Sequence, residues 1–145
     1  MGTYCLIIRL TCDSKIRVGK LGELDFKRGY YVYVGSALNS LEGRIKRHLR
    51  DEKKLFWHID YLLASADSNV VDVISAENKK KWECKIAENI SKESKAIEKF
   101  GCSDCKCISH LFYFENLKNS KNACFNSFRR FGLKPRVLGE LKIKI

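Results

Sequence analysis

From Thr3 to Leu10 the side chains fall into two sets. Tyr4, Leu6, Ile8 and Leu10 share one face and Cys5, Ile7 and Arg9 the other, the two-residue period of a β-strand. Asp13-Ser14 predicts a turn, and Lys15 to Gly19 with Glu23 to Lys27 predict a short hairpin closed by Gly19 to Gly22. Arg28-Gly29 leads into Gly29-Tyr30-Tyr31-Val32-Tyr33-Val34-Gly35-Ser36-Ala37, where aromatic and β-branched residues in period-two order predict a second strand. Gly35 is expected to provide a tight exit from it, and Ser36, Asn39 and Ser40 offer oxygens to start a helix. Leu41, Ile45 and Leu49 then recur every four residues, a stripe that faces the sheet. Arg44 and His48 are also four apart and stack on a neighbouring face.

Past a charged break at Arg50 to Lys54, residues Leu55 to Ala66 predict a second helix. Leu55, Ile59, Leu62 and Leu63 form its inward set, with His58 on a flank. Val70, Val71, Val73 and Ile74 make Asn69 to Ser75 a strand. Lys79 to Lys99 reads as a longer helix with Trp82, Ile86, Ile90 and Ile97 on its core stripe and Glu83 beside that stripe near the start. A polar, cysteine-bearing loop from Gly101 to Ser109 precedes a strand at Leu111 to Phe114. Asn122 to Phe131 predicts a helix closed by Gly132 ahead of Pro135. Arg136 to Ile145, with lysines at alternate places, is expected as an edge strand. No internal repeat or low-complexity tract interrupts this order. The expected fold is α+β, a small and mainly antiparallel sheet flanked by helices. It occupies one domain over 1–145, with an inserted hairpin at about 15–27 and a C-terminal extension at about 115–145.

Composition narrows the function. A hydrophobic share of 45% with 11% aromatics is that of a chain with a packed core. No apolar run approaches the roughly 20 residues that span a bilayer, and the first residues lack the pattern of a secretory leader. The expectation is a cytoplasmic protein. Its seven cysteines are then thiols; Cys5, Cys12, Cys84 and Cys124 read as small core residues. The net charge of +11 favours a polyanionic partner. DNA, RNA and an acidic membrane all qualify, and the lack of a long helix with a broad apolar face counts against the membrane.

A strand ending in a tyrosine, a glycine turn and a helix with stacked Arg44 and His48 make a cationic corner shaped to hold a phosphate. These residues carry a resemblance. Gly2-Thr3-Tyr4 resembles the first half of the signature of the GIY-YIG nuclease superfamily, and Tyr33-Val34-Gly35-Ser36-Ala37 resembles the second. Leu41-Glu42-Gly43-Arg44-Ile45-Lys46-Arg47-His48 is similar to the helix that follows there, and Glu83 falls where the superfamily keeps a metal-binding glutamate. Phe56-Trp57-His58-Ile59-Asp60-Tyr61-Leu62 and the segment from Phe100 to Phe114 are similar to one branch, small archaeal and bacterial proteins sometimes fused to endonuclease III-type DNA glycosylases. Two departures stand out: the hairpin lengthens the stretch between the signature tyrosines, and Thr3 replaces an isoleucine.

The resemblance implies a metal-dependent endonuclease that hydrolyses phosphodiester bonds in DNA, in a repair setting that includes a DNA-repair protein partner. The alternative is a non-catalytic nucleic-acid-binding module of the same fold. In the nuclease reading Glu83 holds a divalent metal, Mg²⁺ or Mn²⁺, and Arg44 contacts the scissile phosphate. Tyr4 acts as general base, its phenol activated by nearby positive charge; Tyr33 positions phosphate or water and His48 assists proton transfer or contacts substrate. Ser36, Arg47 and His58 are further substrate contacts. Each residue also has an ordinary role open to it. Tyr4 and Tyr33 suit an amphipathic strand, Arg44 could pair with Glu42 or Glu83, Glu83 suits a first helical turn, and His58 suits a half-buried, hydrogen-bonded position.

Cys102-x₂-Cys105-x-Cys107-x₂-His110 supplies four N/S groups in nine residues, zinc's preferred chemistry. The spacing is tight and runs straight into a strand. The expectation is therefore a buried thiol-rich turn, with Asp104 and His110 making local hydrogen bonds, and not a zinc site.

Overall fold

The computed structural model describes residues 1–102 and 105–138. Strand β1 (Gly2–Leu10) lies at the middle of a six-stranded sheet. It pairs antiparallel with β4 (Gly29–Ala37) on one side and β5 (Ser68–Glu77) on the other. Outward from β4 lie β7 (Leu111–Phe114) and β6 (Lys95–Ala96); outward from β5 lies β8 (Arg136–Val137). Among the described residues every pairing is antiparallel, and four α-helices flank the sheet: α1 (Leu41–Leu49), α2 (His58–Leu63), α3 (Glu83–Ser91) and α4 (Leu117–Arg130). The expected α+β architecture is what forms.

The two-residue alternation of β1 sorts the core into two layers. Tyr4, Leu6, Ile8 and Leu10 pack with Leu41 and Ile45 of α1 and Ile59 and Leu62 of α2. Cys5 and Ile7, joined by Val32 and Val34, pack with Ile86 and Ile90 of α3 and Cys124 and Phe128 of α4. With both faces covered, β1 is buried at every position but Arg9. The hairpin of β2 (Ser14–Arg17) and β3 (Glu23–Phe26) contributes to the core, with Val18 and Phe26 buried in the first layer.

Several elements differ from expectation for local reasons. Gly35 lies inside β4, opposite Tyr4, rather than at an exit turn; the helix start falls to Ser40, whose hydroxyl accepts from the Gly43 N–H at 2.9 Å. Helix α2 begins only at His58, because the Asp60 carboxylate gathers the N–H groups of Phe56 and Trp57. Leu55 and Phe56 are left outside, 43% and 73% exposed. The long helix expected over Lys79 to Lys99 ends at Ser91. Ser91 and Ser94 hydroxyls take the carbonyls of Glu88 and Ile90, a competition that weakens helix continuation, and the chain turns into β6. Ile97 consequently packs in the layer opposite to Ile86 and Ile90. Helix α4 starts earlier than expected, capped by the Asn116 side chain, and ends before Gly132, whose φ of +75° suits a glycine. Cys12 and Cys84 are exposed, not core residues, while Cys5 and Cys124 are buried. The edge strand forms at Arg136–Val137; residues 139–145 of that expected strand, and Asp104, lie outside the described residues. Among the described residues no helix is long and apolar enough to cross a membrane.

Candidate active site and a thiol–imidazole cluster

At one end of the β1–β4 ladder, Tyr4 faces Gly35 and Tyr33 faces Leu6, so both phenols emerge on the side covered by α1 and α2. There they meet Ser36, Arg44, His58 and Glu83 around a cavity of about 550 Å³, with Lys81 and His110 also in its wall. Six of the eight residues singled out in the sequence thus converge.

The other two serve them from behind. His48 is only 2% exposed, and its Nε2 lies 2.7 Å from the Tyr4 hydroxyl. Arg47 is not brought to the cavity: its guanidinium spans both oxygens of Asp60 at 3.0 Å each and also donates to the Lys54 carbonyl. Its expected role as a substrate contact gives way to a scaffolding one. Asp60 in turn is fully buried.

Arg44 forms no pair with Glu42, which takes Lys46 instead. Its Nη1 donates to the Ser36 carbonyl at 3.1 Å, and its guanidinium lies 4.6 Å from the Trp57 ring centre, with that of Arg47 at 4.1 Å. Trp57 is therefore a platform for two cations, a role that its place in the Phe56 to Leu62 segment did not reveal. Arg44 thus lines the cavity while its guanidinium lies over the indole.

His58 Nδ1 accepts the N–H of Gly101 at 2.8 Å, so its proton resides on Nε2 and the ring is neutral. Burial lowers its proton affinity further. It is thus both a satisfied, half-buried histidine and a cavity wall.

Burial governs the titration of this site. It pushes Tyr4 well above the ordinary phenol range, although Arg44 works in the opposite direction. Tyr33 is also raised, by burial and then by the neighbouring Tyr4 and Glu83. His48 is depressed to about 3, again by burial first, with Arg47 and Arg44 adding to it and Asp60 opposing. Arg44 lowers the Tyr4 pKa in the direction the cationic corner implies, but burial outweighs it.

Glu83, the first residue of α3, is the carboxylate among the described residues that line the cavity. Its Oε2 approaches His110 Nδ1 to 3.6 Å. On the far side of that imidazole, His110 Nε2 meets the thiols of Cys105 at 3.4 Å and Cys84 at 4.0 Å. The ligand atoms of Cys84, Cys105, Cys107 and His110 all lie within 4.8 Å of one another, and this cluster could hold a metal ion. Its membership corrects the sequence reading. Cys102 is outside it, donating to the Phe100 carbonyl at 3.4 Å, and Cys84 from α3 stands in its place. The adjacency of Cys84 to Glu83 was the available signal.

Among the described residues, an antiparallel sheet with Tyr4, Tyr33, Arg44 and Glu83 gathered around one cavity, and a metal-capable thiol–imidazole cluster beside it, makes up a small α+β domain. Residues 3–133 match the model of the family described as Domain of unknown function DUF123, and the chain belongs to that family. No curated protein and no solved structure matches the chain.

Proposed function

We propose that the cavity is the active site of a metal-dependent endonuclease of the GIY-YIG kind, acting on phosphodiester bonds in DNA. The observation that carries this reading is the convergence of Tyr4, Tyr33, Arg44 and Glu83 from four separate elements on one hollow, in a chain of net charge +11. A single carboxylate among the described residues opening on a cavity of this size suits a hydrated Mg²⁺, which keeps most of its waters and shares phosphate oxygens. Glu83 would hold that ion, and the metal, when bound, would offset phosphate charge and acidify a water.

The chain's own groups divide the remaining work. Arg44, fixed by Trp57 and the Ser36 carbonyl, presents its free N–H edge to a phosphate oxygen. Tyr33 and the His58 Nε2–H offer hydrogen bonds to the same group, and Lys81 adds positive charge at the rim. Tyr4 needs no prior ionisation. The Tyr4 hydroxyl, 2.7 Å from His48 Nε2, would hold and orient the attacking water and take its proton as its own shifts toward that nitrogen.

The test is nicking of supercoiled plasmid and of branched DNA with Mg²⁺ or Mn²⁺. Cleavage that is lost in Glu83→Ala, Arg44→Ala and Tyr4→Phe supports the proposal. Salt-sensitive DNA binding without any metal-dependent product would instead leave a non-catalytic nucleic-acid-binding module.

A further inference from the structure

We propose that Cys84, Cys105, Cys107 and His110 form a tetrahedral zinc site that braces the wall of the cavity. The donor set is three thiols and one imidazole, which selects zinc over Mg²⁺ or Ca²⁺, ions that take oxygen. With ordinary Zn–S and Zn–N lengths, tetrahedral geometry puts the nitrogen about 3.6 Å from each sulfur and the sulfurs about 3.8 Å apart. The distances from His110 Nε2 to Cys105 and Cys84, 3.4 and 4.0 Å, bracket the first value, and no pair in the cluster exceeds 4.8 Å. Small side-chain rotations close the set.

The second imidazole nitrogen supplies an independent reason. His110 is 2% exposed, and its Nδ1 lies 3.2 Å from the Val34 carbonyl and 3.6 Å from the Glu83 carboxylate. Both neighbours accept hydrogen bonds, so Nδ1 carries the proton and Nε2 presents its lone pair to the thiols. That is the orientation of a metal-bound histidine, with its outer N–H held by a carbonyl and a carboxylate. Binding releases the three thiol protons to solvent and leaves all four positions filled by protein, as in sites that stabilise rather than catalyse.

The ligands come from the first turn of α3, from the loop after β6 and from the residue that leads into β7. Zinc would tie these together and fix Cys84, and with it Glu83, against β4. The site needs no contact with DNA, so it stands or falls apart from the nuclease reading.

Full-length protein, produced in zinc-supplemented defined medium and dialysed into metal-free buffer, is assayed for metal by mass spectrometry without DNA. About one zinc per chain is expected, retained in Cys102→Ser and lost in Cys84→Ser. Cobalt(II) added to metal-free wild-type protein should give the intense visible bands of a tetrahedral complex with thiolate-to-cobalt charge transfer. This spectrum decides the matter even if Cys84→Ser does not fold. A wild-type protein that takes up no stoichiometric zinc, a weak octahedral cobalt spectrum, or metal lost in Cys102→Ser but kept in Cys84→Ser would each overturn the site.

Discussion

Gly35 lies directly across the β1–β4 ladder from Tyr4, and the Tyr4 phenol fills the space that a side chain at position 35 would need. The nearest atoms to a β-carbon there would be Tyr4 Cζ and Oη, closer than any real contact. The φ of Gly35 is not in the left-handed region, so the requirement is for room and not for backbone freedom. Tyr4 cannot simply swing aside, because it is buried and its hydroxyl is bonded to His48. Gly35→Ala should therefore destabilise the fold by about 1–3 kcal/mol, the range for overpacking a close-packed site. Urea denaturation measures it, with Tyr4→Ala as the second background. The loss should largely vanish there; an equal loss in both backgrounds would show that the phenol is not the obstruction.

Asp60 is the second point where the site depends on a buried group. Its carboxylate accepts two bonds from Arg47 and the N–H groups of Phe56 and Trp57, at 2.8–3.0 Å. Burial alone would raise its pKa, but Arg47 and the two backbone donors outweigh it and hold the carboxyl below the ordinary range. Asp60→Asn keeps the shape and removes the charge, leaving Arg47 uncompensated, and should cost about 3 kcal/mol. Because the folded pKa is the lower one, this contribution is fully present above the ordinary carboxylate pKa of about 3.9 and is lost as pH falls through the folded value. Urea midpoints for wild type and Asp60→Asn should therefore differ at neutral pH and converge in strong acid. A neutral-pH difference below about 0.5 kcal/mol, the scale of an ordinary surface change, would contradict this account.

The strands were legible because their signals are local. Tyr4, Leu6, Ile8 and Leu10 alternate, both faces of β1 are apolar, and the hairpin carries its own turn glycines. Helix ends were less so. Asp60 sets the start of α2 by reaching back to Phe56 and Trp57, and Ser94 helps end α3, choices that hydrophobic periodicity does not encode. Tyr4, Tyr33, Arg44 and Glu83 were found through a pattern of residue types, and the fold brings them together. What escaped was mediated by distant contacts: Trp57 holding Arg44, Asp60 claiming Arg47, and Cys84 replacing Cys102 beside His110. The direction of the Tyr4 shift escaped too, since desolvation depends on how deeply a phenol sits and not on which cations neighbour it in sequence.

His48 should make the fold sensitive to mild acid. Its ring is packed against Tyr4, Tyr33 and Trp57, and burial, with Arg44 and Arg47 nearby, depresses its pKa to about 3. In the unfolded chain the imidazole titrates near 6.5. Between these values the unfolded state binds a proton that the folded state refuses, so stability falls as pH drops from about 6.5 towards 3, by up to about 1.4 kcal/mol per pH unit. Above that window the group contributes no pH dependence. His58, also lowered by burial, adds a dependence of the same sign. His48→Gln cannot titrate and should flatten the profile, although it starts from lower stability. The measurement is urea unfolding at a series of pH values from about 7.5 to 4.5, which spans the upper part of that window, paired with imidazole titration by NMR in the folded protein. Parallel profiles for wild type and His48→Gln, or a folded-state His48 that titrates near the ordinary value, would show that the imidazole beneath Tyr4 is not held neutral by burial.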